Sequence, residues 1–228
     1  MYCKYCGESI DEDSIFCRFC GRHQGIICNT EDSYKKPIPT TGIANGHEWV
    51  DLGLSVKWAT CNIGAKDSTD KGYFFAWGET ETKDFFSEDE YKLNGILRSY
   101  KKVGNDIAGT KYDAATVNWG GFWRMPTKEE MLELIESCSW EWINKYGVEG
   151  CIVSRNNNTI FLPYTKMISG RGGMLGNCSG SYWTSTLTED ESSYAWGLLF
   201  FGSDFQKLDD LKVRYCGLLI RPVYDDKY

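Results

Sequence analysis

The run Pro126-Thr127-Lys128-Glu129-Glu130-Met131-Leu132-Glu133-Leu134-Ile135-Glu136-Ser137-Cys138 is the one stretch of this chain that reads plainly as a helix. Thr127 and Glu130 stand at the spacing of a capping box, and Glu129 sits where the positive end of the helix dipole favours an acid. Met131, Leu134, Ile135 and Cys138 recur at helical spacing and form the stripe that meets a core, so Cys138 is expected to be a packed thiol. Working outward, the next segments are short and extended. Cys151–Arg155, the Asn156-Asn157-Asn158 turn and Thr159–Pro163 read as a hairpin. Ser181–Thr186, Tyr194–Phe201 and Leu218–Val223 are three further strand candidates. Upstream, Glu48–Leu52 and Val56–Thr60 are bounded by Gly53 and Gly64, with Tyr73–Glu79 after them. Residues 80–113 are charged and turn-rich and predict a long irregular region. One helix among many short strands and long loops predicts an α+β domain with antiparallel sheets.

The N-terminus follows another rule. Of the 10 cysteines, four fall in two Cys-x-x-Cys pairs, Cys3/Cys6 and Cys17/Cys20, each followed by glycine (Gly7 and Gly21). Two thiolates separated by two residues reach one ion from a tight turn, and two such turns close a tetrahedral site. With no open position for water, the site reads as structural Zn2+ in a small zinc ribbon over residues 1–22. Two disulfides are the competing reading. It is disfavoured because Met1 leads into Tyr2-Cys3-Lys4-Tyr5-Cys6 without the apolar segment of a signal peptide. His23 could replace a sulfur, but four cysteines already suffice. So short a segment cannot bury a core, and a metal supplies what the core cannot. Residues 23–45 are polar, carry two prolines and show no apolar period, so they read as a linker. The second domain is expected over 46–224.

Composition removes several functions. The chain has 228 residues, a net charge of −7 and an aromatic content of 15%. The acidic balance opposes broad nucleic-acid or anionic-membrane binding, and residues 1–45 carry no basic stripe. No apolar run approaches the roughly 20 residues of a membrane helix. Only His23 and His47 are available for any histidine-based catalysis. The six scattered cysteines (Cys28, Cys61, Cys138, Cys151, Cys178, Cys216) and the four-thiolate site favour a reducing, cytoplasmic compartment, with export by another route left open.

Four segments carry a resemblance. They are Trp49-Val-Asp-Leu-Gly-Leu-Ser-Val-Lys-Trp-Ala-Thr-Cys-Asn-Ile-Gly64, Phe74-Phe-Ala-Trp-Gly-Glu-Thr80, Trp119-Gly-Gly-Phe-Trp-Arg-Met-Pro-Thr-Lys-Glu-Glu130, and the tail. The tail contributes Tyr182-Trp-Thr-Ser-Thr186, the pattern Ala195, Leu198, Phe200, Ser203, and Gly217-Leu-Leu-Ile-Arg-Pro-Val223. Together they resemble the Fibrobacter succinogenes major paralogous domain family, whose relatives share a C-type-lectin-like fold of the formylglycine-generating-enzyme type. The resemblance implies a domain whose first and last strands pair. It also implies kinship with ligand-binding proteins diversified near the C-terminus by retroelements. It implies no single activity.

The residues speak against the superfamily's best-known chemistries. Formylglycine-generating enzymes use a close pair of late cysteines, whereas Cys178 and Cys216 stand far apart here. Calcium-dependent lectins use Glu-Pro-Asn or Gln-Pro-Asp with Trp-Asn-Asp, and neither occurs. Glu189-Asp190-Glu191 and Asp67–Gly72 read as solvated turns before they read as calcium ligands. A carboxylate-based hydrolase has no pair singled out by spacing.

Binding without chemistry fits the tail. Leu198 and Phe200 share one strand face, so Leu199 and Phe201 point the other way. By the same alternation, Leu218 and Ile220 face inward and Leu219 outward. The expected ligand surface is therefore Trp196, Leu199, Phe201, Tyr215 and Leu219, with Thr184 and Asp204 on its polar rim. A second small core under residues 80–113 is the competing reading. The ligand would be an unidentified protein or glycan.

Overall fold

The computed structural model describes residues 2–3, 6–11, 16–20, 40–95, 100–170, 173–174, 180–189 and 193–227. The chain divides into two compact units, 1–38 and 39–228. His23, Gly21, Cys28, Cys178, Asp190, Glu191 and most of the expected linker lie outside the described residues.

In the first unit, Cys3, Ile10 and Cys17 form the small buried cluster. The first turn is closed by Gly7 donating its N–H to the Cys3 carbonyl at 2.9 Å, and Gly7 takes φ +76. That is a left-handed conformation that glycine adopts without steric penalty. Tyr2, Phe16 and Phe19 remain exposed, as expected where so little chain surrounds them.

The second unit is mostly antiparallel sheet, with two helices among the described residues. Its first hairpin joins β1 (Thr41–Ala44) to β2 (His47–Val50). Asn45 and Gly46 make the turn with φ of 48 and 79, the left-handed pair that a two-residue hairpin turn requires. The linker expected to end at residue 45 is corrected here. Its last residues are a strand, and the boundary at residue 46 cuts this turn in half. β3 (Lys57–Ala59) pairs with β2. The chain's last strand, β13 (Val223–Tyr224), lies between β3 and β4 (Trp123–Arg124) in the same sheet. The end of the second unit is therefore paired into the sheet that the start of the same unit builds, through β3 and not through β1.

α1 (Ala114–Trp119) was not expected, because six residues are too few to display a period. Asp113 caps it, accepting from Ala115 N and Thr116 N, and also accepts from Met125 N at 2.9 Å. α2 (Lys128–Ser137) begins at the Thr127–Glu130 capping box as the sequence predicts, with Met131 and Leu134 buried and Ile135 and Cys138 half-buried. β5 (Ser139–Lys145), β6 (Val148–Arg155) and β7 (Asn158–Pro163) form a meander. The β6–β7 turn places Asn156 and Asn157 at positive φ, as asparagine tolerates. β8 (Ile168–Ser169) and β9 (Gly173–Met174) make a small ribbon. β10 (Gly180–Leu187), β11 (Tyr194–Phe200) and β12 (Gln206–Val213) form a third sheet. Residues 80–113 hold no helix or strand among those described.

Two expected strands are not regular strands. Tyr73–Glu79 contributes one bridge, Phe75 to Leu218. Within Leu218–Val223 only the last residue belongs to a strand, while Leu218 and Leu219 make single bridges to opposite neighbours, Phe75 and Tyr182. The segment is threaded between two cores. Leu219 packs with Leu198, Phe200 and Trp58, whereas Leu218 and Ile220 pack with Trp77, Ala114 and Trp183. Period-two alternation places side chains on two faces of a strand, and here both faces are interior.

Candidate functional site

In the first unit the four sulfurs of Cys3, Cys6, Cys17 and Cys20 all lie within 4.8 Å of one another. Cys3 Sγ stands 3.6 Å from Cys20 Sγ, and Cys6 Sγ 3.6 Å from Cys17 Sγ. A tetrahedral ion held at about 2.3 Å by four sulfurs spaces them about 3.8 Å apart, so the cluster fits such an ion. The Phe19 N–H donates to Cys17 Sγ at 3.4 Å, the kind of outer contact that orients a ligand sulfur. The Glu8 backbone lowers the Cys6 pKa, but desolvation and the three crowded sulfurs outweigh it and push this thiol up to about 12. A cation at the centre reverses that balance, because it stabilises thiolates.

In the second unit, β11 divides its residues as the alternation predicts. Leu198 and Phe200 are fully buried, Leu199 is half-buried, and Phe201, just past the strand, is 55% exposed, while Ala195 is buried on the far side of a register shift between Ala195 and Gly197. The turn that follows is pinned from below. Ser203 Oγ accepts from Trp142 N at 2.7 Å, and Gly202 O accepts from Cys151 Sγ at 3.5 Å. The Phe201 N–H donates to the Phe205 carbonyl at 2.9 Å, which closes the turn. Phe205 is 46% exposed, Asp204 is exposed between the two phenylalanines, and the Trp142 ring supports Phe201 at 5.9 Å. Phe205 was missed by sequence reasoning, because its exposure follows from the turn and not from a strand period.

Other parts of the expected surface are interior. Leu219 is 0% exposed, for the reason given above, and is removed from it. Thr184 is also fully buried and is no rim residue, since its hydroxyl donates to the Trp196 carbonyl at 2.8 Å and holds β10 to β11. Tyr215 is half-buried against the second core. Trp196 is half-buried beneath Lys128, whose Nζ lies 5.5 Å from the ring centroid. Leu199, Phe201 and Asp204 are what remains open, joined by Phe205.

A separate cleft of about 590 Å3 opens between β2, the loop after β3 and the ends of β5 and β7. His47 lies flat on Trp119 in its wall, with ring centroids 3.8 Å apart and planes 7° from parallel. Asn45 holds Trp119 in place by donating to its carbonyl at 3.2 Å. Burial lowers the His47 pKa, so the imidazole is neutral at neutral pH. Lys145 Nζ donates to Ser68 Oγ at 3.1 Å. Asp67 is held below the usual carboxylate range by the Thr69 hydroxyl and then by the Thr69 N–H, with smaller help from Asp70 N–H. Beneath the cleft lies Arg221, fully buried, donating to Asn62 Oδ1, Ala59 O, Thr60 O and Phe161 O at 2.8–3.1 Å. The Asn45-Gly46 dipeptide is the sequence signal that could have located this cleft, since it fixes the hairpin presenting His47.

Among the described residues no helix is long and apolar enough to cross a membrane. Compared with known protein families, with curated proteins and with solved structures, the chain matches none.

Proposed function

We propose that this chain is a non-catalytic binding protein. A zinc-closed ribbon is joined to a C-type-lectin-like domain that presents a C-terminal aromatic surface to a protein or glycan. The single observation behind the binding role is the split along β11 and its turn. The residues matching the resembled family's pattern, Ala195, Leu198, Phe200 and Ser203, are buried or hold the turn. Leu199 and Phe201, which fall between them, and Asp204, which follows Ser203, remain accessible to solvent, with Phe205 beside them. Such a division suits a fixed scaffold with changeable outward positions, the arrangement expected of a retroelement-diversified protein. Rigid aromatics anchor interfaces at low entropic cost, and the pinned turn supplies the rigidity. The last strand joins the first sheet between β3 and β4, which meets only in part the first-to-last strand pairing that the lectin-like reading expects.

Zinc is the ion the ribbon chemistry favours, because four thiolates in a closed tetrahedron select it over hard cations. Cys216 supports binding over oxidase chemistry. Its thiol is buried and pushed up to about 11 by desolvation, the reverse of the low-pKa thiolate that such chemistry needs.

The test is a glycan array and a displayed-peptide selection run with the wild-type chain and with the Phe201→Ser/Phe205→Ser double variant. Ligands retained by the wild type and lost by a correctly folded variant support the proposal. Ligands retained equally by both, or none with either, overturn it.

A further inference from the structure

An open edge strand presents a row of unpaired N–H and C=O groups, and proteins guard such edges with charge, proline, bulges or cover. In this chain β12 carries Lys207, Asp209, Asp210 and Lys212, and β5 carries Glu141 and Lys145. β7 and β10 are mostly buried, and β4 is two residues long with the ion-paired Arg124 on it. β1 forms the other edge of the first sheet, and its sequence Thr41-Gly42-Ile43-Ala44 has no charge, no proline and no bulge. Among the described residues nothing pairs with its outer side.

The register decides which groups face outward. Ala44 and His47 close a two-residue turn as a hydrogen-bonded pair, so Gly42 and Trp49 form the next such pair. Thr40 continues the series, its carbonyl accepting from Asp51 N at 2.8 Å. The N–H and C=O groups of Thr41 and Ile43 therefore point away from β2, to the open side. Ile43 is 70% exposed, and Thr41 is exposed beside it. Between them the half-buried Trp49 ring lies across Gly42, where a Cβ would stand 2.3 Å from it. The indole thus reaches toward the sheet edge from one strand further in.

We propose that β1 pairs antiparallel with β1 of a second copy, joining the five-stranded sheets of two chains across a two-fold axis at Gly42. Thr41 of each copy then faces Ile43 of the other, and their outward N–H and C=O groups satisfy one another. A second copy fits better than a strand of another protein because the edge is self-complementary. An uncharged strand meets itself without repulsion, and glycine lies on the axis, where paired Cα atoms approach to about 4.5 Å. The two Trp49 rings converge over that axis. Glu48 and Asp51 are the acids beside β1 on the β2 side, and each is at least three strand spacings, about 14 Å, from either acid of the copy. That exceeds the screening length of about 10 Å in 0.1 M salt. The junction is short, so the association is weak.

The test is sedimentation equilibrium of the full chain from about 10 µM to about 1 mM, with amide exchange across β1 followed over the same range. A shift from one chain mass toward two is expected at about 0.1–1 mM, as suits a small interface. Thr41 and Ile43 exchange should slow about threefold once about two thirds of the chains are paired, because only the unpaired third exchanges. Gly42 and Ala44, already bonded to β2, should not change. Ile43→Lys, the kind of guard that natural edges carry, is expected to abolish both effects, and Thr41→Lys to act alike, whereas Ile43→Val keeps them. A single chain mass at every concentration would leave the edge to a strand of another kind and overturn the proposal. A dimer whose Thr41 and Ile43 amides exchange as fast as in the monomer, or one unmoved by Ile43→Lys, would overturn it too. Phe201 and Phe205 belong to the β11–β12 turn, so these outcomes do not bear on the binding reading.

Discussion

His47 lies flat against Trp119, centroids 3.8 Å apart, at the place where the first hairpin meets the end of α1. The same imidazole meets Trp123 edge-on at 6.2 Å, and the Trp123 indole N–H donates to the Ala44 carbonyl at 2.9 Å. The hairpin thus rests on two tryptophans from the middle of the chain.

This contact makes stability depend on pH. Burial lowers the folded His47 pKa below its ordinary 6.5, so the unfolded chain binds more protons between those two values. The His47 contribution is present above 6.5 and is lost as pH falls to the lowered value. Melting temperatures at about pH 7.5 and about pH 5 should therefore differ more for the wild type than for His47→Phe, which keeps the stack and cannot titrate.

Metal removal should undo the first unit alone. Elemental analysis is expected to find one zinc per chain, with Cys3, Cys6, Cys17 and Cys20 resisting alkylation until a strong chelator is added. Zinc near zero, with those thiols labelling freely, would contradict the ribbon.

Arg221→Met should be severely destabilising. It orphans the carbonyls of Ala59 and Phe161 and the Asn62 side-chain oxygen, each of which accepts from the guanidinium inside the protein. At about 1–3 kcal/mol for each unsatisfied buried group, the loss in urea denaturation should reach about 3 kcal/mol or more. A loss under about 1 kcal/mol would show that water replaces the side chain.

The parts of the fold that the sequence made legible are those governed by local rules. The α2 capping box, the asparagine turn of β6–β7 and the face split of β11 all follow from neighbours within a few residues. The two cysteine pairs placed the cluster of four sulfurs, close enough to hold a metal ion, for the same reason. Leu219 defeated the reading because its environment is set by Leu198 and Trp58 on one side and its neighbours by Trp77 on the other, contacts no period can encode. The cleft went unread because His47, Trp119 and Lys145 are distant in sequence and only the closed sheets bring them together. The residues of β1 carry no strand period and read as linker, although Asn45-Gly46 carries the turn signal.

The binding account requires that Phe201 and Phe205 be held by the turn without holding the fold. The most direct measurement is the melting temperature of Phe201→Ser/Phe205→Ser beside that of the wild type. A shift within about 2–4 °C, equivalent to about 1 kcal/mol in a chain of this size, is the result predicted for surface side chains. A fall of about 10 °C or more would show that the pair is core packing and would remove the recognition surface.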